Sequence, residues 1–247
     1  MEATQPASNI SVYGTPEDVA RAAASRFVDI AATAISQSGR FSAALAGGST
    51  PKRTYELLAN KEYRDHVAWP KVHLFFGDER TVAPTHRDSN YRMASESIIS
   101  RVPIPAQNIH RIDGEGDAVA NASLYEDDLR NFFEPGSSPR FDLVLLGMGE
   151  DGHTASLFPG TTALREREAW VVANWVAKLN TYRITLTPTA INNAANIIFL
   201  VTGPGKSGPL FEVLRGQPDP QKLPSQLIQP VNGSLLWFLD KPAAARL

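Results

Sequence analysis

The stretch Asp142-Leu-Val-Leu-Leu-Gly-Met-Gly-Glu-Asp-Gly-His-Thr-Ala-Ser-Leu-Phe-Pro-Gly160 constrains the fold most. Leu143, Val144, Leu145 and Leu146 form an unbroken apolar run, the pattern of a central parallel strand covered on both faces. The run stops at Gly147, and Gly149 and Gly152 follow in a loop that also carries Glu150, Asp151 and His153. Glycines there permit backbone turns that a Cβ would resist. Acidic groups and an imidazole therefore leave the carboxyl end of a buried strand together, which is where open α/β sheets bind ligands.

The same grammar recurs along the chain. Apolar runs over 41–46, 72–76 and 197–201 end in Gly47-Gly48-Ser49-Thr50-Pro51, Gly77-Asp78-Glu79-Arg80 and Gly203-Pro204-Gly205-Lys206. Helical segments separate them. Thr15 and Pro16 read as N-cap and first-turn proline of a helix that stops at Gly39. Thr187 and Pro188 open another, to about residue 195, and further helices are expected to 59 and over 91–100, 118–133 and 207–214. Strands are also expected over 10–13, 169–176, 183–187 (with period-two alternation) and 235–239. Alternating strands and helices specify an α/β protein with a doubly wound, mostly parallel sheet and helices on both faces. All four polar loops then emerge on one sheet edge. Segment 216–230, rich in Pro and Gln, reads as surface loop.

With 247 residues, the chain fits one domain over 1–247, with or without a small subdomain. A 43% apolar and 20% charged composition is that of a soluble globular protein. The formal net charge of −2 gives no electrostatic footprint for nucleic acid or an anionic membrane. There is no cysteine, so disulfides, thiolate metal sites and cysteine nucleophiles are excluded. Residues 1–10 are polar at their start and show no secretory signal, and no apolar run approaches the roughly 20 residues that span a bilayer. The expected compartment is the cytoplasm.

Gly47, Gly48, Ser49 and Thr50 ahead of a helix suit an anion cradle, since glycine lets backbone N–H groups approach a phosphate and the helix start favours negative charge. An ordinary capped turn would use the same residues, and neither GK[ST] nor GxGxxG is present. Lys206 and Arg183 are candidate phosphate cations, or solvated surface charges. Asp78 and Arg80 at a strand end can orient hydroxyls and neutralise an anion; a salt-bridged or helix-capping turn is the alternative. His153 is the best general base, with Asp151 two residues away to orient it; a structural, hydrogen-bonded histidine is the competing reading. No HExxH or zinc-spaced ligand set supports a metal, and no GxSxG supports a serine nucleophile.

Taken in order, these loops resemble the 6-phosphogluconolactonase family, within the glucosamine/galactosamine-6-phosphate isomerase superfamily. Ala46-Gly-Gly-Ser-Thr-Pro51, Phe76-Gly-Asp-Glu-Arg80 with Asp88-Ser-Asn-Tyr91, Gly147 through Gly160, Arg183-Ile-Thr-Leu-Thr187 and Val201-Thr-Gly-Pro-Gly-Lys206 all look like its motifs. The resemblance covers most of the chain. It implies a Rossmann-like fold without a bound nucleotide, and hydrolysis of 6-phospho-D-glucono-1,5-lactone with no metal or organic cofactor. The implied partner is a small phosphorylated sugar lactone, handled by a monomer or small homo-oligomer. Gly47, Gly48, Ser49, Thr50, Arg183 and Lys206 would hold the phosphate. His153, Asp151, Asp78 and Arg80 would carry the chemistry. Two departures fall beside the cations: Lys178-Leu-Asn-Thr-Tyr precedes Arg183 where the family has a proline-rich run, and Pro204-Gly205 replaces an acidic pair.

A glucosamine-6-phosphate deaminase would share the Asp-Gly-His core, but Phe158 stands where that family has a glutamate. A non-catalytic sugar-phosphate sensor attached to a DNA-binding module would need a module and a basic patch that this sequence does not display.

Overall fold

The computed structural model describes residues 9–133 and 139–247; the polar start of the chain lies outside them. Strands β1 (Asn9–Tyr13), β2 (Phe41–Leu45), β3 (Val72–Phe76), β5 (Leu143–Leu146), β8 (Asn196–Val201) and β9 (Ser234–Asp240) form a six-stranded sheet. Its order is β1-β9-β8-β5-β2-β3, and every pairing is parallel. All residues of β2 and β5 are buried, so helices and loops cover both faces of the sheet centre, as the unbroken apolar runs require. The last strand is inserted between β8 and the edge strand β1.

The helices are α1 (Pro16–Ser38), α2 (Ser49–Leu58), the single turn α3 (Lys61–Arg64), α4 (Asn90–Ser97), α5 (Ala118–Phe132), α6 (Pro188–Asn192) and α7 (Ser207–Arg215). Helix α1 begins and ends where its capping chemistry dictates. The Thr15 hydroxyl accepts from Asp18 N while the Asp18 carboxylate accepts from Thr15 N, and Gly39 closes the helix at φ +79°. Its apolar stripe, including Val19, Ala23, Phe27 and Ile30, is buried against α2 and the main sheet.

Strands β4 (Asp78–Arg80), β6 (Val171–Val176) and β7 (Thr181–Leu186) do not join the main sheet. They form an antiparallel sheet of their own in the order β4-β7-β6. The period-two alternation over 183–187 does not carry into burial: Thr185 and Thr187 are as buried as Ile184 and Leu186, with the Thr185 hydroxyl accepting from Ser156 N and the Thr187 hydroxyl donating to Ala169 O. Asp78-Glu79-Arg80 is therefore a strand rather than a free loop. The chain passes from one sheet to the other at Gly77, whose N donates to Leu45 O of β2 and whose O accepts from Leu186 N of β7, both at 2.9 Å. Helix α5 lies against β6 and β7.

Candidate active site

The loop after β5 folds back on itself. Gly149 N donates to His153 O at 2.8 Å, and Gly152 N donates to Gly149 O at 3.1 Å. Gly152 sits at φ +72°, a conformation that favours glycine. Its carbonyl finds donors outside the loop: Ser225 N at 2.9 Å and Ser225 Oγ at 2.8 Å. Segment 216–230 is thus more than surface loop. It buries Ser225 and packs Leu223 on Gly152, because a buried carbonyl must be paired and its own loop supplies no partner.

His153 is held from two sides. Its Nδ1 is hydrogen-bonded to Asp151 Oδ1, which also accepts from His153 N at 3.3 Å. Its ring stacks on Phe158 with centroids 4.1 Å apart and planes 25° apart. The other Asp151 oxygen, Oδ2, is ion-paired with Lys178 Nζ. Partial burial works against the Asp151 carboxylate, but Lys178 and His153 outweigh it and hold its pKa well below the usual carboxylate range. An Nδ1–H donated to Asp151 leaves Nε2 as the basic nitrogen.

Asp78 is buried, with both oxygens engaged: Asn90 Nδ2 donates to Oδ1 at 3.1 Å and Ser156 Oγ to Oδ2 at 2.6 Å. Ser156 is in turn backed by Asn174, whose Nδ2 donates to Ser156 O at 2.9 Å. Neighbouring Glu79 serves the fold. Its carboxylate accepts from Asn90 N, Tyr91 N, Arg80 N and Ser89 Oγ, capping α4. Burial raises its pKa, opposed by those backbone donors. Arg80 donates to Asp88 O, and across the β4–β7 ladder its register partner is Arg183. Burial, then the Arg80 charge, lowers the Arg183 pKa, against Asp78, Asp88 and Glu79, which raise it.

On the other side of the site stands the start of α2. Gly48, its N-cap, has φ +105°, and a Cβ on Gly47 would fall 2.2 Å from Asn90 Oδ1. Only glycines allow this turn and this approach. The first N–H groups of the helix have no intrahelical partner. Thr50 Oγ1 and Thr202 Oγ1 share a 2.7 Å hydrogen bond that ties this turn to the end of β8. Beyond Thr202, the Asp240 carboxylate accepts from Gly203 N at 3.0 Å and fixes the turn that carries Lys206.

One cavity of about 270 Å³ collects these pieces, lined among others by Gly47, Gly48, Ser49, Thr50, Asp78, Arg80, His153 and Lys206. Asp151 lies behind His153, and Arg183 beside Arg80, neither in the lining. Lys178, Phe158, Asn90, Ser156 and Ser225 were not singled out as site residues by sequence reasoning. Phe158 acts on His153 within one loop and the others act between segments separated in sequence; all five sit inside stretches already flagged, Lys178 at the start of a departure from the family pattern and Ser225 within 216–230. Among the described residues no group of three or more His, Cys, Asp or Glu is gathered as a metal site requires.

An imidazole–carboxylate pair and a cationic, N–H-rich pocket face one small space at the carboxyl edge of a parallel sheet, an arrangement that can hold an anion beside a proton acceptor. Comparison with known proteins narrows the class. Residues 14–237 match the family described as glucosamine-6-phosphate isomerases/6-phosphogluconolactonase. A 6-phosphogluconolactonase of Nostoc sp. is 46% identical over 218 residues, covering 87% of this chain and 88% of the relative. That of Synechocystis sp. is 43% identical over 217 residues with the same coverage of both. The solved 6-phosphogluconolactonase from Trypanosoma brucei superposes with a TM-score of 0.87 at 32% identity, covering 97% of this chain and 98% of that one. The chain belongs to the glucosamine-6-phosphate isomerase/6-phosphogluconolactonase family, and within it stands with the 6-phosphogluconolactonases. A monomeric glucosamine-6-phosphate deaminase, 17% identical with a TM-score of 0.81, shares the fold alone.

Proposed function

We propose that the protein hydrolyses 6-phospho-D-glucono-1,5-lactone to 6-phospho-D-gluconate, the second step of the oxidative pentose phosphate pathway. The observation that carries the reading is the shared cavity: His153, oriented by Asp151, faces the same space as the start of α2 and Lys206. The phosphate is taken by the N–H groups at Gly48, Ser49 and Thr50 and by Lys206, with Arg183 reinforcing the positive field from beside Arg80. Nε2 of His153 removes a proton from water as its oxygen adds to the lactone carbonyl. Arg80 faces the oxyanion that develops there. When the ring C–O bond breaks, the imidazolium returns the proton to the leaving ring oxygen. Asp78, fixed by Asn90 and Ser156, accepts from substrate hydroxyls with its remaining lone pairs.

Phe158 packing flat on His153 supports hydrolysis over amino-sugar ring opening, since no acidic group stands at that position. A net charge of −2, with no helix among the described residues long and apolar enough to cross a membrane, supports a cytoplasmic enzyme acting on a small molecule without nucleic acid or lipid.

The test is disappearance of freshly made lactone with the native protein, with His153→Ala and with buffer, because the lactone also hydrolyses unaided. The expected loss in the variant is about 10²–10⁴-fold, the range for general acid–base catalysis. Native activity no faster than buffer would end the lactonase reading; a near-native variant would move the base elsewhere.

A further inference from the structure

Lys178, on the turn joining β6 to β7, reaches the loop that carries His153. That turn is held by Asn180 in the left-handed region, φ +48°, which brings Lys178 over the site. Lys178 Nζ reaches two groups at once. It is ion-paired with Asp151 Oδ2, while Asp151 Oδ1 holds His153 Nδ1. It also lies 4.7 Å from the centroid of Phe158, the ring on which His153 stacks. Both supports of the imidazole, one polar and one aromatic, thus meet at the same ammonium group.

We propose that Lys178 is a positioning residue for the lactonase reaction: it locks Asp151 and Phe158 as the two walls that hold the His153 imidazole and draws off part of the Asp151 charge. This rests on the assignment of His153 as the base. Without Lys178 the carboxylate has one oxygen free to rotate, and its full charge bears on the imidazole. The imidazole is then held less firmly in the tautomer and orientation that present Nε2 to the cavity. Other charged groups near His153 stay as they are in the variant: Glu150, packed against Gly205, and Asp78, Arg80 and Lys206 on the cavity wall.

The size of the effect follows from exposure. The Lys178 side chain is 53% accessible and that of Asp151 32%, so the pair is screened and its effect on rate is a fewfold. The expected outcome for Lys178→Met is a roughly two- to fivefold lower kcat with KM within about twofold. Lys178→Arg, which keeps the charge over Phe158, restores kcat.

The experiment measures kcat and KM on fresh lactone for native, His153→Ala, Lys178→Met and Lys178→Arg, with circular dichroism confirming the fold of each. Native protein no faster than buffer, or an active His153→Ala, overturns the underlying reading. With that reading standing, a Lys178→Met enzyme with native kcat overturns the role of Lys178. So does a raised KM at unchanged kcat, which would make Lys178 a substrate contact, and so does a Lys178→Arg enzyme as impaired as Lys178→Met.

Discussion

Gly149→Ala tests whether catalysis depends on where His153 sits. Gly149 is not at a positive φ, so alanine can adopt its backbone. The obstacle is space. A Cβ there would lie 2.0 Å from His153 Nδ1, 2.2 Å from His153 Cε1 and 2.7 Å from Asp151 Oδ1, where ordinary contact begins at 3.4 Å. The ring must therefore withdraw by about 1.4 Å, the difference between 3.4 and 2.0 Å, and its hydrogen bond to Asp151 breaks. A misplacement of about 1 Å costs roughly 10²-fold in rate. The expected kcat/KM is thus about 10²-fold below native, or about 2.7 kcal/mol of transition-state stabilisation. His153 is partly exposed, so the overlap is relieved toward solvent and the fold loses less than about 1 kcal/mol. The assay is initial-rate lactone hydrolysis alongside a thermal melt. A folded Gly149→Ala protein within threefold of native kcat/KM would refute the claim that this geometry matters. A collapsed melting temperature would refute the claim that the alanine acts on the imidazole alone.

Two further tests concern stability. Glu79→Ala removes the acceptor for the start of α4 and for Ser89, and should cost about 2–4 kcal/mol by urea unfolding; a loss under 0.5 kcal/mol would show that α4 is capped by other means. His73 has its pKa lowered to about 4, by burial first and then by His110 and Arg40, so it takes up a proton less readily folded than unfolded. Its contribution to stability is complete above the unfolded value of about 6.5 and is lost as pH falls toward 4, on the order of 1 kcal/mol after allowing for its partial exposure. His73→Gln should flatten the change in urea midpoint between pH 7 and pH 4; an unchanged slope would place the acid sensitivity elsewhere.

The main sheet was legible because its strands are short apolar runs closed by glycine, and local pattern suffices to read them. The smaller sheet was not. Asp78-Glu79-Arg80 is too short and too charged to read as a strand, and its status comes from a partner about a hundred residues away, Thr185 to Arg183. Period two over 183–187 announced half-burial, whereas Thr185 is buried with Ile184 and Leu186 through contacts with distant segments that the pattern does not show. The same limit explains Lys178. It opens a stretch that departs from the family pattern, but nothing there names its partner Asp151, 27 residues earlier. Glu79 shows the reverse: it sits inside a suggestive motif, and its role is to hold a helix.

The two sheets divide the work of the site. The carboxyl edge of the parallel sheet offers the start of α2 and, on the turn after β8, Lys206. The antiparallel sheet adds Arg80 and Arg183 on its strands and Lys178 on its hairpin. Gly77 is the joint. Bonded to β2 on one side and to β7 on the other, it makes Asp78 the first residue of the second sheet while leaving it within reach of Asn90 and Ser156. A Cβ at Gly77 would stand 3.4 Å from Leu45 O, an ordinary contact, so the joint rests on the two backbone hydrogen bonds and not on the lack of a side chain. Together with the Asp78–Ser156 and Thr50–Thr202 hydrogen bonds, it registers the histidine side of the cavity against the anion side.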